Sequence, residues 1–155
     1  MKKDILENLL KKTLGFLDVS SDFLSEENED GILVSISGNE LNHLIGYRGD
    51  SLNALQHFLN SAYFNNSGEY VRIFVDINGY RDQRKGKIEE MTKKFIDRVR
   101  FFSQEVEMPP MNPSERRVVH TFISDYDDVM SESVGTGRDR RVVLKLKHRS
   151  SGFLS

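Results

Sequence analysis

Two short arrangements in this chain have the residue types and spacing to hold an anion. The first is Gly46-Tyr47-Arg48-Gly49. Glycine at both ends of a four-residue turn removes the Cβ atoms that keep a ligand off the backbone, so a phosphate can approach closely. Helical patterns flank the turn, with Leu41, Leu44 and Ile45 before it and Leu52, Leu55, Leu59 and Ala62 after it. The later helix therefore opens at the turn, and its first N–H groups and positive dipole end face the same anion. Arg48 adds a mobile positive charge. Two glycines three apart are common, and these residues alone fit a plain helix–turn–helix corner equally well.

The second arrangement is Arg116 and His120, one helical turn apart and so on one face, with Arg117 adjoining. Asn112-Pro113-Ser114-Glu115 marks the helix start. Asn112 suits the N-cap, proline suits the first helical position, and Glu115 stands where the acid of a capping box would. The helix is expected from 113 to about 125, with Val118, Val119, Phe122 and Ile123 as its buried side. Arg-x-x-x-His on its own also arises by chance.

The elements around the first arrangement follow from apolar periodicity. Ile5, Leu9, Leu10, Leu14 and Leu17 make one face of a helix over 5–17, with Gly15 as its stop. Asp18 to Glu27 is a weaker segment with Val19, Phe23 and Leu24. After the Glu29-Asp30-Gly31 turn, Ile32, Val34 and Ile36 alternate with Leu33 and Ser35 as a strand. Asn65-Asn66-Ser67-Gly68 reads as a loop, and Val71, Ile73, Val75 and Ile77 as a second clean strand. The order is helix, strand, strand, helix, Gly-x-x-Gly, helix, strand.

Around the second arrangement, Tyr80 to Gln104 is a long helix with Ile88, Met91, Phe95, Val99 and Phe102 on one stripe. Its polar faces carry Arg81, Arg84, Lys85, Lys87, Lys93, Lys94, Arg98 and Arg100, read as a solvated surface balanced by Glu89, Glu90 and Asp97. Glu105 to Met108 is a short strand ended by Pro109-Pro110. Val129–Val134 and Arg140–Lys147 are strands joined by a turn at Gly135-Thr136-Gly137. In the last strand Val142, Leu144 and Leu146 face one way, and Val143, Lys145 and Lys147 the other.

At 155 residues the chain holds one large or two small domains. It has no cysteine, which excludes disulfides, thiolate zinc sites and cysteine nucleophiles and fits a reducing cytoplasm. Charged residues break up the N-terminal apolar run, so no secretory segment is read there, and no run is long enough to span a bilayer. Charge is divided unevenly. Residues 1–78 hold 6 Lys+Arg and 12 Asp+Glu, net −6, whereas residues 79–155 hold 16 and 12, net +4. The part with the Gly-x-x-Gly turn is the acidic one, so long-range attraction to a polyanion must come from the second part or from a partner.

Catalytic readings find little support. His43, His57, His120 and His148 form no ligand pattern; His43 and His57 read as surface or boundary residues, and His148 as part of a polar tail with Arg149-Ser150-Ser151-Gly152. Asp125, Asp127 and Asp128 suggest a metal, but no spaced ligands accompany them, and a solvated acidic loop is preferred. An Arg/His pair could stabilise a phosphoryl transition state, yet no general base is evident.

The element order of the first part resembles the type II KH fold, a three-stranded sheet covered by helices on one side, in which the Gly-x-x-Gly turn clamps a single-stranded nucleic-acid backbone. Met108 to His120, ending in Arg116-Arg117-Val118-Val119-His120, resembles the core of the R-three-H domain. The pair in this order is similar to the bacterial Jag family, also called KhpB, over nearly the whole chain, and Asp76-Ile77-Asn78-Gly79-Tyr80-Arg81 resembles its junction. Typical members carry a further small N-terminal domain and linker, so functions tied to it, including contact with membrane-associated partners, do not carry over. The resemblance implies single-stranded RNA as ligand, with single-stranded DNA as the alternative. It also implies contact roles for Arg116 and His120 and a small KH-only protein, or a second copy, as partner.

The expectation is an α+β chain of two small domains. Residues 1–78 form a type II KH domain, and residues 79–155 a long helix plus an R-three-H domain. Function is read as non-enzymatic, cytoplasmic RNA binding in a post-transcriptional regulator of the kind linked to bacterial growth and division. The contact residues are Gly46, Tyr47, Arg48 and Gly49 in one set and Arg116, Arg117 and His120 in the other, with Arg140, Arg141, Lys145 and Lys147 extending the basic surface. No metal or cofactor is implied. The rival class is a protein-interaction module whose first half does not touch RNA.

Overall fold

The computed structural model describes residues 1–148, so the tail from Arg149 lies outside the described residues. The architecture is α+β in two compact units, Met1–Gln83 and a second beginning at Arg84.

The first unit runs α1 (Lys2–Phe16), β1 (Asp22–Asn28), β2 (Gly31–Ser37), α2 (Asn42–Ile45), α3 (Asp50–Ser67) and β3 (Ile73–Ile77). β1 and β2 form an antiparallel hairpin, and the helical crossover brings β3 back parallel to β2, giving the sheet order β1-β2-β3. Alternation sends Ile32, Val34 and Ile36 of β2 and Ile73, Val75 and Ile77 of β3 to one face. Leu6, Leu10 and Leu14 of α1 and Leu52, Leu59 and Tyr63 of α3 join them in one core. This is the element order read from the sequence.

Two helix ends differ from expectation. Gly15 does not stop α1, which continues to Phe16. Asp18 takes the left-handed position (φ 54), and the N–H groups of Asp18 and Val19 bond the carbonyls of Gly15 and Leu14, closing the helix without glycine. Residues 65–67 are not loop but the last turn of α3. There Asn66 donates to the Ala62 carbonyl and Ser67 to that of Tyr63, so polar side chains bond back to the helix.

The second unit contains most of α4 (Tyr80–Phe102), then β4 (Val106–Glu107), α5 (Pro113–Ile123), β5 (Val129–Val134) and β6 (Arg141–Leu146). The sheet order is β4-β6-β5, all antiparallel. Ile88, Ile96 and Val99 of α4 pack with Val119 and Ile123 of α5 on Met108, Val129, Val142 and Leu144. The expected α4 stripe is rotated: Ile88, Thr92, Ile96 and Val99 are the buried positions, Met91 and Phe95 are half-buried, and Phe102 is exposed. Thr92 is tolerated because its hydroxyl donates to the Ile88 carbonyl at 2.7 Å. α5 ends at Ile123, slightly short of the expected 125. Among the described residues no helix is long and apolar enough to cross a membrane.

Candidate nucleic-acid interface

α2 is a single turn whose end is closed by the Gly46 N–H bonding the Asn42 carbonyl. The chain then takes positive φ at Gly46 (70°), Arg48 (52°) and Gly49 (81°). Both glycines are sterically required. A Cβ on Gly46 would collide with the Ser51 side chain, and one on Gly49 would lie 2.9 Å from the Tyr80 ring. Ser51 and Tyr80 thus form a wall behind the turn, which spacing alone did not reveal. α3 starts at Asp50 with no side-chain cap, and the Asp50 N–H bonds the Tyr47 carbonyl in the short 3-10 turn that leads into the helix. Asp50 puts one opposing carboxylate in that turn. Arg48 is half-buried, its guanidinium 4.9 Å from the Tyr47 ring centroid. Tyr47 itself is 73% exposed.

A cleft of about 550 Å³ follows α3 away from this turn. Its walls are Asn53, Gln56, His57, Asn60, Ser61 and Phe64 of α3 and Tyr70, Arg72, Ile73 and Phe74 across from them. None is acidic, although residues 1–78 hold 12 Asp+Glu. The outer edge of β3 is closed by side chains. Asn60 accepts from the Ile73 N–H and donates to its carbonyl, and Gln56 accepts from the Val75 N–H. Arg81 donates to the Val75 carbonyl, to Asn53 and to Gln56. Arg81 is therefore no solvated helix charge; burial lowers its pKa, with Asp76 and Tyr80 opposing the shift. The polar steps 53, 56 and 60 on one helix face were the readable signal for this lock.

α5 begins as expected, with the Asn112 side chain accepting from the Glu115 N–H at 2.9 Å and Pro113 in the first turn. The Glu115 carboxylate does not complete a capping box. It is only 4% exposed and accepts from Arg84 Nε at 2.7 Å, while its Oε2 has no partner among the described residues. Arg116 donates to the Met111 carbonyl. His120 is held by two serines of β5, with Nδ1 and Nε2 each 2.7 Å from the hydroxyls of Ser131 and Ser133. Partial burial, then the charges of Arg116 and Arg140, lower its pKa from the ordinary value. The imidazole is thus biased toward the neutral form. Ser131 and Ser133 were missed; only the alternation of β5 toward α5 could have indicated them.

Strand register separates the expected basic residues. Ser131 and Ser133 pair with Leu144 and Val142 on the covered side, whereas Met130, Glu132 and Val134 pair with Lys145, Val143 and Arg141 on the other. Arg140 stands with Arg116 beside His120 and donates to the Gly135 carbonyl. Arg141 lies 3.5 Å from Glu107, and Lys145 sits between Glu132 (3.2 Å) and Glu105 (3.4 Å), whose bonds raise its pKa. Arg117 and Lys147 are exposed. One cationic cluster, Arg116 with Arg140, is therefore assembled, while Arg141 and Lys145 are locally neutralised. Asp128 is likewise no merely solvated acid; Arg100 binds it through two nitrogens, at 2.7 and 2.9 Å, and lowers its pKa. Among the described residues no three His, Asp or Glu side chains are grouped to hold a metal ion. His43 and His148 are exposed, and His57 borders the cleft.

The R-three-H domain family matches residues 86–146. Proteins named RNA-binding protein KhpB align with most of the chain. The one from Clostridium symbiosum is 29% identical over 95% of this chain and 65% of its own length. The Bacillus subtilis protein is 31% identical over 82% and 62%, and the Streptococcus pneumoniae protein 30% over 83% and 39%. The chain thus spans less than two thirds of these relatives. With the turn, the element order and the Arg116/His120 helix in place, the chain belongs to the Jag/KhpB family and carries an R-three-H domain over residues 86–146.

Proposed function

We propose that this chain binds single-stranded RNA through two contact sets and performs no catalysis of its own. In the first, residues 1–78 act as a type II KH domain: Gly46 and Gly49 admit a phosphate to the start of α3, with Tyr47 and Arg48 beside it. In the second, Arg116, Arg140 and the exposed Arg117 supply charge, and His120 ties α5, which carries Arg116 and Arg117, to the serines of β5. Arg141, Lys145 and Lys147 contribute less, since two of them are already paired. The observation that carries the reading is the turn with three positive φ angles leading into a helix without a side-chain cap, on a helix whose cleft has no carboxylate in its lining. The name of the relatives, RNA-binding protein, supports RNA as the polyanion. A regulatory role, a cytoplasmic site and pairing with a small KH-only protein or a second copy are parts of the same proposal.

The test is titration of the full chain with a labelled single-stranded RNA, with duplex RNA as competitor. Tyr47→Asp with Arg48→Asp should weaken binding at least tenfold, about 1.4 kcal/mol. Circular dichroism should show an intact fold. Duplex should compete poorly, because neither contact set is built to span a groove. Unchanged affinity in a folded double variant would move the turn to the protein-interaction reading.

A further inference from the structure

We propose that the outer edge of β1 is a docking site for an extended, basic segment of a partner protein, which adds to the first sheet as a further strand. This goes beyond the RNA-binding reading and does not rest on it.

The two edges of the β1-β2-β3 sheet are finished differently. At β3 the N–H groups and carbonyls of Ile73 and Val75 are bonded by Asn60, Gln56 and Arg81, so a strand cannot add there. β1 pairs with β2 alone. Its seven residues, Asp22–Asn28, hold register without a bulge. In an antiparallel strand alternate residues turn their N–H and C=O groups outward. Among the described residues nothing bonds those outward groups of β1. The strand has no proline or lysine to guard its edge; its only charged guards are acids.

That acidity selects the occupant. Residues 18–30 hold Asp18, Asp22, Glu26, Glu27, Glu29 and Asp30, half of the 12 Asp+Glu in residues 1–78. No Lys or Arg occurs between Lys12 and Arg48. Among the described residues none of the six carboxylates is in an ion pair. A nucleic acid is repelled here. A second copy is disfavoured too, because β1 against β1 sets like charges opposite one another. A strand with basic residues on both faces meets Asp22 and Glu26 on one and Glu27 on the other. Between these charges it finds apolar surface. Leu24 is 59% exposed on the face opposite α1 and α3, and Phe23 is half-buried on the helix side. Charge attracts the segment, backbone bonds hold it, and the apolar centre fixes its register.

The test uses the full chain and a labelled peptide, Lys-Lys-Thr-Val-Val-Lys, complementary to Asp22–Glu27 in antiparallel pairing. The peptide should bind saturably and slow hydrogen exchange at the outward amides of β1. Two isomers of it are N-methylated on alternate residues, odd in one and even in the other, so that charge and composition are identical. The isomer whose methyl groups face β1 should bind at least about tenfold more weakly than the other, because two or more backbone bonds are lost. Glu26→Lys with Glu27→Lys should abolish binding of the basic peptide. The peptide Glu-Glu-Thr-Val-Val-Lys should then restore it, which also shows that the variant is folded. Equal binding by the two isomers would reduce the contact to charge alone and overturn strand addition. So would a wild-type chain that does not bind the basic peptide. Protection of the same amides by a single-stranded RNA, or by dimerisation of the chain, would give the edge to another occupant and overturn the proposal.

Discussion

The Gly46–Gly49 turn and the Arg116/His120 cluster both suit an anion, yet they are built from different material. The turn is backbone: it leads directly into α3, and its geometry is set by positive φ at three of four residues. The cluster is side chain, and it exists only because α5, β5 and β6 converge. Arg116 comes from the helix, Ser131 and Ser133 from one strand, and Arg140 from the approach to the next. A backbone site depends on a few consecutive residues, whereas a side-chain site depends on every contact that places its elements. The two should therefore fail in different ways.

The largest effect is expected at the base of the cluster. Arg84→Ala removes the cation that pairs the buried Glu115 at 2.7 Å. Leaving one member of a buried pair uncompensated costs about 3–5 kcal/mol, and the low end applies because Arg84 is partly exposed. The loss should appear in chemical denaturation followed through amide signals of α5. The Gly46–Gly49 turn should retain its signals. A loss below about 1 kcal/mol would show that α5 is held by apolar packing alone.

Next in size is Gly49→Ala. An L-residue in the left-handed region costs about 1–2 kcal/mol. The added methyl also meets the Tyr80 ring at 2.9 Å. A loss of about 2 kcal/mol in the melting of the first unit, with weaker RNA binding, is expected. Full stability with intact binding would mean that the turn tolerates a side chain and the clamp does not need close backbone approach.

This contrast also explains what could be read from sequence. Glycine spacing, the N-cap at Asn112 and strand alternation are local, so the turn, the start of α5 and the element order were legible. The R-three-H match over 86–146 and the relatives agree with the resemblance carried by Arg116-Arg117-Val118-Val119-His120. Pairings across elements were not legible. Nothing near Lys145 in sequence announces Glu132 and Glu105, and nothing near Glu115 announces Arg84. Charge counts over each half treated Arg141 and Lys145 as free cations. Strand register placed them on the sheet face that also carries Glu132 and Glu107, away from His120.

That correction can be measured. A phosphate neutralised on a single strand contributes about 0.7 to the slope of log affinity against log salt. Arg116→Ala and Arg140→Ala should each reduce the slope by about that amount. Lys145→Ala and Arg141→Ala should leave it nearly unchanged, because these cations already sit beside Glu132, Glu105 and Glu107. Equal reductions across all four would restore the whole basic surface as the contact and remove the distinction that register draws.

The smallest effect, and the one that separates support from direct contact, concerns His120. Its pKa in the folded chain lies below the ordinary value because of partial burial and then the charges of Arg116 and Arg140. In the unfolded chain it titrates near ~6.5. Above that pH the ring is neutral in both states and contributes nothing to the pH dependence. Below it the unfolded chain takes up the proton first, so stability falls as pH drops toward the folded pKa and then levels off. The melting temperatures of wild type and His120→Gln should therefore run parallel above about 6.5 and converge or cross only below it. His43, His57 and His148 remain in both chains and cancel in the comparison. RNA affinity should be flat from about 6.5 to 8, since a ring already neutral has no charge to lose. If affinity instead weakens as pH rises through that window, and His120→Gln abolishes the change, bound phosphate has drawn a proton onto the ring. His120 would then be an ionic ligand in its own right, and the serine clamp would position a cation rather than replace one.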